Sequence, residues 1–446
     1  IASGGNYNVV VGDEAGTALT TGDANVAIGY QALMTQDTVA ENVAVGYQAA
    51  KANEDGANLV AVGRAALTAN VDGTDNTAIG SLAMATNTYG NKSVALGRLA
   101  LQDQTYGTST DAYNTAIGTW AGKEVTSGIQ NTIVGGLAGA ATTDADRNVA
   151  LGYASLYTNE LGSRSTALGY TALHTQNPAT ATDMYNTAVG YSAGYAVTTG
   201  VRNTIVGGLA GDALTTGGSN VAMGYAALSA DTLGARNVAV GDVSLTAQNF
   251  TTATNAYNTA VGYGSGASVT TGTVNTLIGG QAGDDLTSGN NNTAVGYLAL
   301  TADTLGDRNT ALGTSALTAQ NFTTTTDSYN TAVGFTAGAS VTTGVQNTIV
   351  GGLAGDAITD ADVNIAVGYL ALSTNTVGSK SVAVGGAALQ TQNPATATDM
   401  YNVAVGHQAG KLVTTGIQNT LIGALAGDAL TEGFGNVALG YSSLSS

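Results

Sequence analysis

Apolar residues along this chain come in triplets that return at a fixed distance. In NTAVGYGSGASVTTGTVNTLIGGQA, residues 258–282, the NTAVG that opens at Asn258 comes back as NTLIG at Asn275. With the Asn of each motif as position 1, motif starts fall at 8, 25, 42, 59, 76, 93, 114 and onward to 436, giving 25 coils. The step from start to start is 17 except for five steps of 21, taken from 93, 165, 237, 309 and 381, so that every fourth step beyond 92 is a long one. Residues 1–446 therefore read as a single repetitive β-solenoid, with regular 17-residue coils over 1–92 and four-coil super-repeats over 93–446.

The positions divide by the size and shape they demand. Position 5 is Gly in all 25 coils, including Gly135 and Gly279, as expected where the backbone turns or approaches another chain segment too closely for a Cβ. Position 2 is always Val, Thr or Ile, and position 4 is always Val, Ile, Leu or Met. Positions 2 and 4 share one strand face, position 3 takes the other, and the aliphatics at 4 are expected to face a core. Position 8 is Ala in 21 coils and Ser in four, a sign of close packing. Position 1 is Asn in 21 coils, Asn131 and Asn275 among them, and predicts an amide ladder from rung to rung. The pattern predicts an all-β, parallel β-roll with two short strands and two turns per coil and almost no helix. One coil cannot bury its own face, so stability must come from neighbours. Apolar residues on both strand faces of so thin a roll further imply a partner surface.

Composition sharpens this picture. Gly is 63 of 446 residues, Pro only 2, charged residues 9% and aromatic residues 6%, so small and β-branched side chains must do the folding. With no Cys there is neither a disulfide framework nor a thiolate metal site. A net charge of −18 disfavours nucleic acid and anionic surfaces, and no apolar run has the length of a membrane span. The sequence opens at Ile1 without a signal peptide and reads as a mature or excised part of something longer.

NTAVGYSAG (186–194), NVAVGYQAA (42–50) and NVAIGYQAL (25–33) resemble the head repeats of trimeric autotransporter adhesins and the NTAVGYQAL arrays of bacteriophage tail-fibre proteins. The resemblance covers all 25 coils, although the adhesin repeat is usually shorter. It implies a left-handed parallel β-roll assembled from three identical chains, on the outside of a virion or a bacterial cell. The expected role is the shaft or head of a fibre that attaches to a host or surface through a cell-surface glycan or protein receptor. The alternative is a self-assembling extracellular filament or surface-layer element without a receptor of its own.

Catalytic chemistry finds little material, and no enzyme activity or cofactor is expected. The two histidines, His174 at position 10 and His407 at position 6, read as solvent-facing. GTWAGK (118–123) and GHQAGK (406–411) lack the Ser or Thr that follows a phosphate-loop Lys. Asp144/Asp146 and Asp360/Asp362 are acidic pairs in turns, weak candidates for a Ca²⁺ site beside a plainer reading as solvated turns. The five long coils are the better candidates, because insertions in a solenoid map to one face. Their loops offer Tyr106, Tyr113, Asn177, Tyr185, Asn249, Phe250, Tyr257, Asn321, Phe322, Tyr329, Asn393 and Tyr401, a set able to stack on and hydrogen-bond to sugars. Two readings of these loops stand at this point, receptor contact and packing onto the roll.

Overall fold

The computed structural model describes residues 5–445; residues 1–4 and 446 lie outside them. It is an all-β parallel β-solenoid of about 25 coils, with no helix among the described residues. The chain forms two compact units, one ending at Asn220 and one starting at Val221. The first holds twelve three-residue strands, from Val9–Val11 to Thr204–Val206, and the second thirteen, from Val221–Met223 to Val437–Leu439. Each strand covers positions 2 to 4 and pairs in register with the same positions of its neighbour, as in Val26↔Val43, Ala27↔Ala44 and Ile28↔Val45. Among the described residues the expected second strand is absent from ordinary coils. A two-residue strand appears only beside the long coils, where Gly90–Asn91 pairs with Thr110–Asp111 and four equivalent pairs follow.

The faces of the strand are the reverse of expectation. From Ala27 to Ala438 the residue at position 3 points inward and is buried, whereas the β-branched residues at 2 and the aliphatics at 4 lie on the outside of the single chain: Leu151 is 42% exposed and Leu312 44%. The reason is the narrow cross-section. An interior shared by position 3, the Ala at position 8 and the side chain at position 9 admits little more than a methyl group from the strand.

A volume rule governs that interior. Wherever position 9 is Leu, Met or Ala, position 12 is Asn, Gln or Asp; wherever position 9 is Gly, position 12 is Val, Leu, Ile or Thr. The aliphatic at 12 occupies the space the missing side chain leaves. A Cβ on Gly194 would meet Ile205 Cδ1 at 2.9 Å, Leu173 Cδ2 at 3.1 Å and Val197 Cγ2 at 3.4 Å. After the first coil, which has Val10, a residue larger than Ala occupies position 3 only where two successive coils carry Gly at 9, as with Ile133, Ile205, Leu277, Ile349 and Leu421. Beyond residue 92, each super-repeat is two coils filled from position 9 and two filled from positions 3 and 12.

The amide ladder exists with different bonds. The Asn131 N–H donates to Asn114 Oδ1 at 2.9 Å, the Asn131 side-chain amide donates to the Ala145 carbonyl at 2.8 Å, and Asn131 Oδ1 accepts from the Asn148 N–H at 2.9 Å. Asn275 does the same between Asn258, Gly289 and Asn292. Each amide thus satisfies backbone that would otherwise be buried unpaired.

Position 5 needs glycine for two reasons. Its φ lies between 119° and 141°, outside what a side chain allows, and a Cβ would strike the next coil's backbone. At Gly135 the Gly152 carbonyl oxygen would be 2.5 Å away, and at Gly279 the Gly296 oxygen 2.4 Å. We expect Gly279→Val to lower stability by at least about 1 to 3 kcal/mol, whereas Gly107→Ala, with nothing within 4 Å of its Cβ, leaves it unchanged. Denaturant unfolding of the two variants checks this, and equal midpoints would refute it.

Two coils break the amide pattern at position 12 with an acid. Asp231 and Asp303 are fully buried and accept from Gln248 Nε2 (2.7 Å), Gly234 N (2.9 Å), Gln320 Nε2 (2.6 Å) and Gly306 N (3.0 Å). Burial pushes both carboxyls above the usual carboxylate range, and those hydrogen bonds offset it only in part. A folded-state pKa above the unfolded value gives stability that is full below the ordinary carboxylate range and lost as pH rises through the raised value. Asn375, at the same coil position, also donates to its turn carbonyl, Gly378 O, at 2.7 Å, which an ionised Asp cannot do. Asp303→Asn should therefore gain roughly 1 kcal/mol at neutral pH and nothing at acid pH. Thermal melts at the two pH values measure the difference, and an equal gain at both would show that ionisation is not the cause.

Candidate functional site

The four extra residues of each long coil do not form one outward loop. Three make an exposed excursion, 107–109, 179–181, 251–253, 323–325 and 395–397. The fourth is a bulge: Asp111 pairs with Asn91, Tyr113 lies over Lys92, and Ala112 between them is inserted with its side chain buried. Met184, Ala256, Ser328 and Met400 are the equivalent buried residues.

Three predicted contact residues belong to the interior. Tyr106, Phe250 and Phe322 are 8%, 6% and 5% exposed, plugging the coil where the excursion leaves it. The Tyr106 hydroxyl donates to the Gly128 carbonyl at 2.8 Å and accepts from the Asn114 amide at 3.3 Å. Burial raises its pKa well above the usual phenol range. The composition of these loops resembles that of binding loops, but one residue of each is a plug of large apolar area. Asn177, Asn249, Asn321 and Asn393 lie at the surface, tied to the preceding coil. Asn249 Oδ1 accepts from Thr232 at 3.0 Å, Asn321 from Thr304 at 2.9 Å and Asn393 from Thr376 at 2.7 Å, while Asn177 Oδ1 accepts from the Glu160 N–H at 3.3 Å.

Tyr113, Tyr185, Tyr257, Tyr329 and Tyr401 are half-exposed, and each is clipped by a cation one rung below. Lys92, Arg164, Arg236, Arg308 and Lys380 sit over these rings at 5.2, 5.5, 5.5, 5.5 and 5.4 Å. Four of the cations also pair with a carboxylate two residues before the Tyr: Lys92 with Asp111 at 2.6 Å, Arg164 with Asp183 at 2.7 Å, Lys380 with Asp399 at 2.6 Å, and Arg308 with Asp327. In the third clip Asn255 stands where the others have Asp. Hydrogen bonds from Lys92 and Lys380 hold Asp111 and Asp399 below the usual carboxylate range. The clip seats the insertion on the rung beneath it. Exposed cation–π and ion-pair contacts of this kind are individually weak, because water and salt screen them.

Three of the four turn carboxylates are engaged in rung-to-rung bonding. Asp144 accepts from Thr126 (2.8 Å) and Ser127 (2.7 Å), which lowers its pKa, while Asp146 and Asp362 each accept a backbone N–H, from Ile129 and Val345, at 2.8 Å. Asp360 accepts from Thr359 at 3.0 Å. Among the described residues no three His, Asp or Glu side chains cluster as a metal site requires.

A groove that periodicity does not point to lies in the first unit. Three successive coils carry aromatics at both position 6 and position 10, and these form two columns. Tyr153, Tyr170 and Tyr191 stack with centroids 5.4 Å apart, and Tyr157, His174 and Tyr195 stack at 5.1 and 5.0 Å. His174 is therefore half-buried between two rings rather than solvent-facing. Between the columns runs a groove of about 450 Å³ that also includes Ala154, Thr171 and Ser192, with the Thr171 and Ser192 hydroxyls 3.0 Å apart. It continues past Leu137 into a second recess of about 520 Å³ bounded by Trp120, Gly136, Tyr153 and Tyr157. Gly136 lies beside the Tyr153 ring, where a Cβ would make an ordinary contact with Cδ2 at 3.6 Å. The readable signal is a departure from the repeat: no other coil has an aromatic at position 10.

Comparison of the chain with protein-family models and with curated proteins finds no match.

If the clips seat the long coils, removing one should cost little and additively. A double-mutant cycle on Arg308→Ala and Tyr329→Ala is expected to give a small favourable coupling, reduced in high salt. A coupling of zero at low salt would show that the clip contributes nothing to stability.

Proposed function

We propose that this chain is a segment of a structural, adhesive fibre, built from three copies wound as left-handed rolls and displayed on a virion or bacterial cell surface. The observation that carries the reading is the outward stripe of aliphatics at position 4, flanked by the β-branched Val, Thr or Ile at position 2 and renewed in every coil of both units. Isolated surface aliphatics are ordinary, but a continuous apolar band is the mark of an interaction surface. Its repetition at each rung favours a partner with the same repeat, which a second copy of the chain supplies. The resemblance of the NTAVGYSAG-type motifs to adhesin heads and phage tail-fibre arrays supplies the number three and the surface location. A net charge of −18 keeps such a fibre soluble and away from nucleic acid. The role is mechanical and adhesive rather than catalytic, with a cell-surface glycan or protein as the partner.

The assembly should have three times the 43.8 kDa mass of one chain. Placing a carboxylate in the stripe by Ile278→Asp together with Val295→Asp should lower the mass toward a single chain while the β-sheet circular-dichroism signal persists. Light scattering on both proteins reads this directly. A parent that remains at 43.8 kDa at micromolar concentration would remove the proposal.

A further inference from the structure

We infer that the aromatic groove of coils 114–202 is a binding site for a neutral, linear oligosaccharide lying along its length. The inference rests on the adhesive reading and deepens it by naming a ligand class and a place.

Restriction in sequence separates this surface from the assembly surface. The aliphatic stripe recurs in every coil, whereas the double aromatic column is confined to coils starting at 148, 165 and 186. One super-repeat later, Tyr157, His174 and Tyr195 are replaced by Ser229, Thr246 and Ala267, and the coil folds equally well. The aromatics are thus not demanded by the solenoid. A contact between identical rolls would also be expected to follow the repeat, which this groove does not.

The lining chemistry selects the ligand. Aromatic carbon matches the C–H faces of a pyranose, while hydroxyls from Thr171, Ser192 and the tyrosines match its O–H groups. His174 adds a directional group. Its Nδ1 lies 3.1 Å from the Ala154 carbonyl, which can only accept, so Nδ1 carries the proton and Nε2 of the neutral ring is an acceptor for a ligand hydroxyl. A volume of about 450 Å³, with aromatic rings along its sides and polar groups exposed between them, is in the size range of small-ligand sites and has the mixed lining a sugar needs. Charge argues against an anionic ligand. No Lys or Arg lines either recess, and nearby Lys123 is already engaged, 5.2 Å over the Trp120 ring and 3.4 Å from Glu124. An apolar peptide segment would leave the His174 acceptor unpaired.

The chain carries its own reporter, since its single Trp, Trp120, lines the groove's end. Titration of the intact protein with cellohexaose, chitohexaose and maltohexaose, followed by Trp fluorescence, should give a saturable change with at least one of the three by millimolar concentration. The triple variant Tyr157→Ser, His174→Thr, Tyr195→Ala takes its replacements from the repeat itself and should melt like the parent. Its affinity for the responding sugar should fall at least tenfold. No saturable response to any of the three sugars, or equal affinity in the variant, would overturn the site. So would a Trp120 signal that varies with protein concentration in the absence of sugar, because the groove would then be a contact between copies. Sugar binding and assembly mass are separate readouts. A parent trimer that binds none of the sugars counts against the groove alone, and a parent monomer that binds sugar counts against the fibre reading alone.

Discussion

In a backbone where each residue lies over its counterpart one coil away, the closest approach decides what the rest of the coil can be. Here that approach is at position 5, where a Cβ on Gly135 or Gly279 would come within 2.5 Å of the next coil's carbonyl oxygen. Every feature of the coil is compatible with that spacing. The strand is three residues long because the fourth step turns at this glycine. Side chains stack on their own kind, so Asn meets Asn, Tyr meets Tyr, and an acid or a cation must be answered within a rung or two. The cost appears as non-glycine residues held at positive φ, such as Leu173, Arg164 and Arg202, whose N–H groups are kept aligned with a neighbouring coil.

Much of this was legible in the sequence, and the limits have physical causes. The period, the parallel in-register pairing and the glycine column follow from spacing alone, because a rung cannot change length without moving every residue off its counterpart. Which strand face points inward did not follow. Alternation assigns positions 2 and 4 to one side and 3 to the other, but the larger aliphatics at 2 and 4 suggest the wrong side unless the width of the interior is known. The coupling of positions 9 and 12, Leu173 with Gln176 against Gly194 with Val197, carries that width and was available in the sequence. In the long coils, composition could not distinguish Phe250 and Phe322, which plug the interior, from Tyr257 and Tyr329, which are clipped to its surface. Both types are aromatics beside polar residues. Only the bulge at Ala256 and Ser328 sorts them.

A solenoid surface thus carries two kinds of information. What repeats in every coil, the stripe at positions 2 and 4, is suited to a partner with the same period. What departs from the repeat is free of the folding constraint, and the aromatic columns around Tyr170 and His174 are the most pronounced departure. The long coils lie between these cases: they recur once in each super-repeat, and most of their chemistry is spent on joining the insertion to the coil below.

The division of the surface can be measured by thiol accessibility, since the native chain has no cysteine. Single cysteines at Val295 and Leu312, on the stripe, and at Ser109, on an exposed excursion, would be labelled under native conditions at a concentration where the assembly is intact. A covered stripe predicts that the Val295 and Leu312 thiols react at least tenfold more slowly than the Ser109 thiol and catch up on dilution. Equal labelling of all three at every concentration would contradict the account, because the aliphatic face would then be open to water in the native protein.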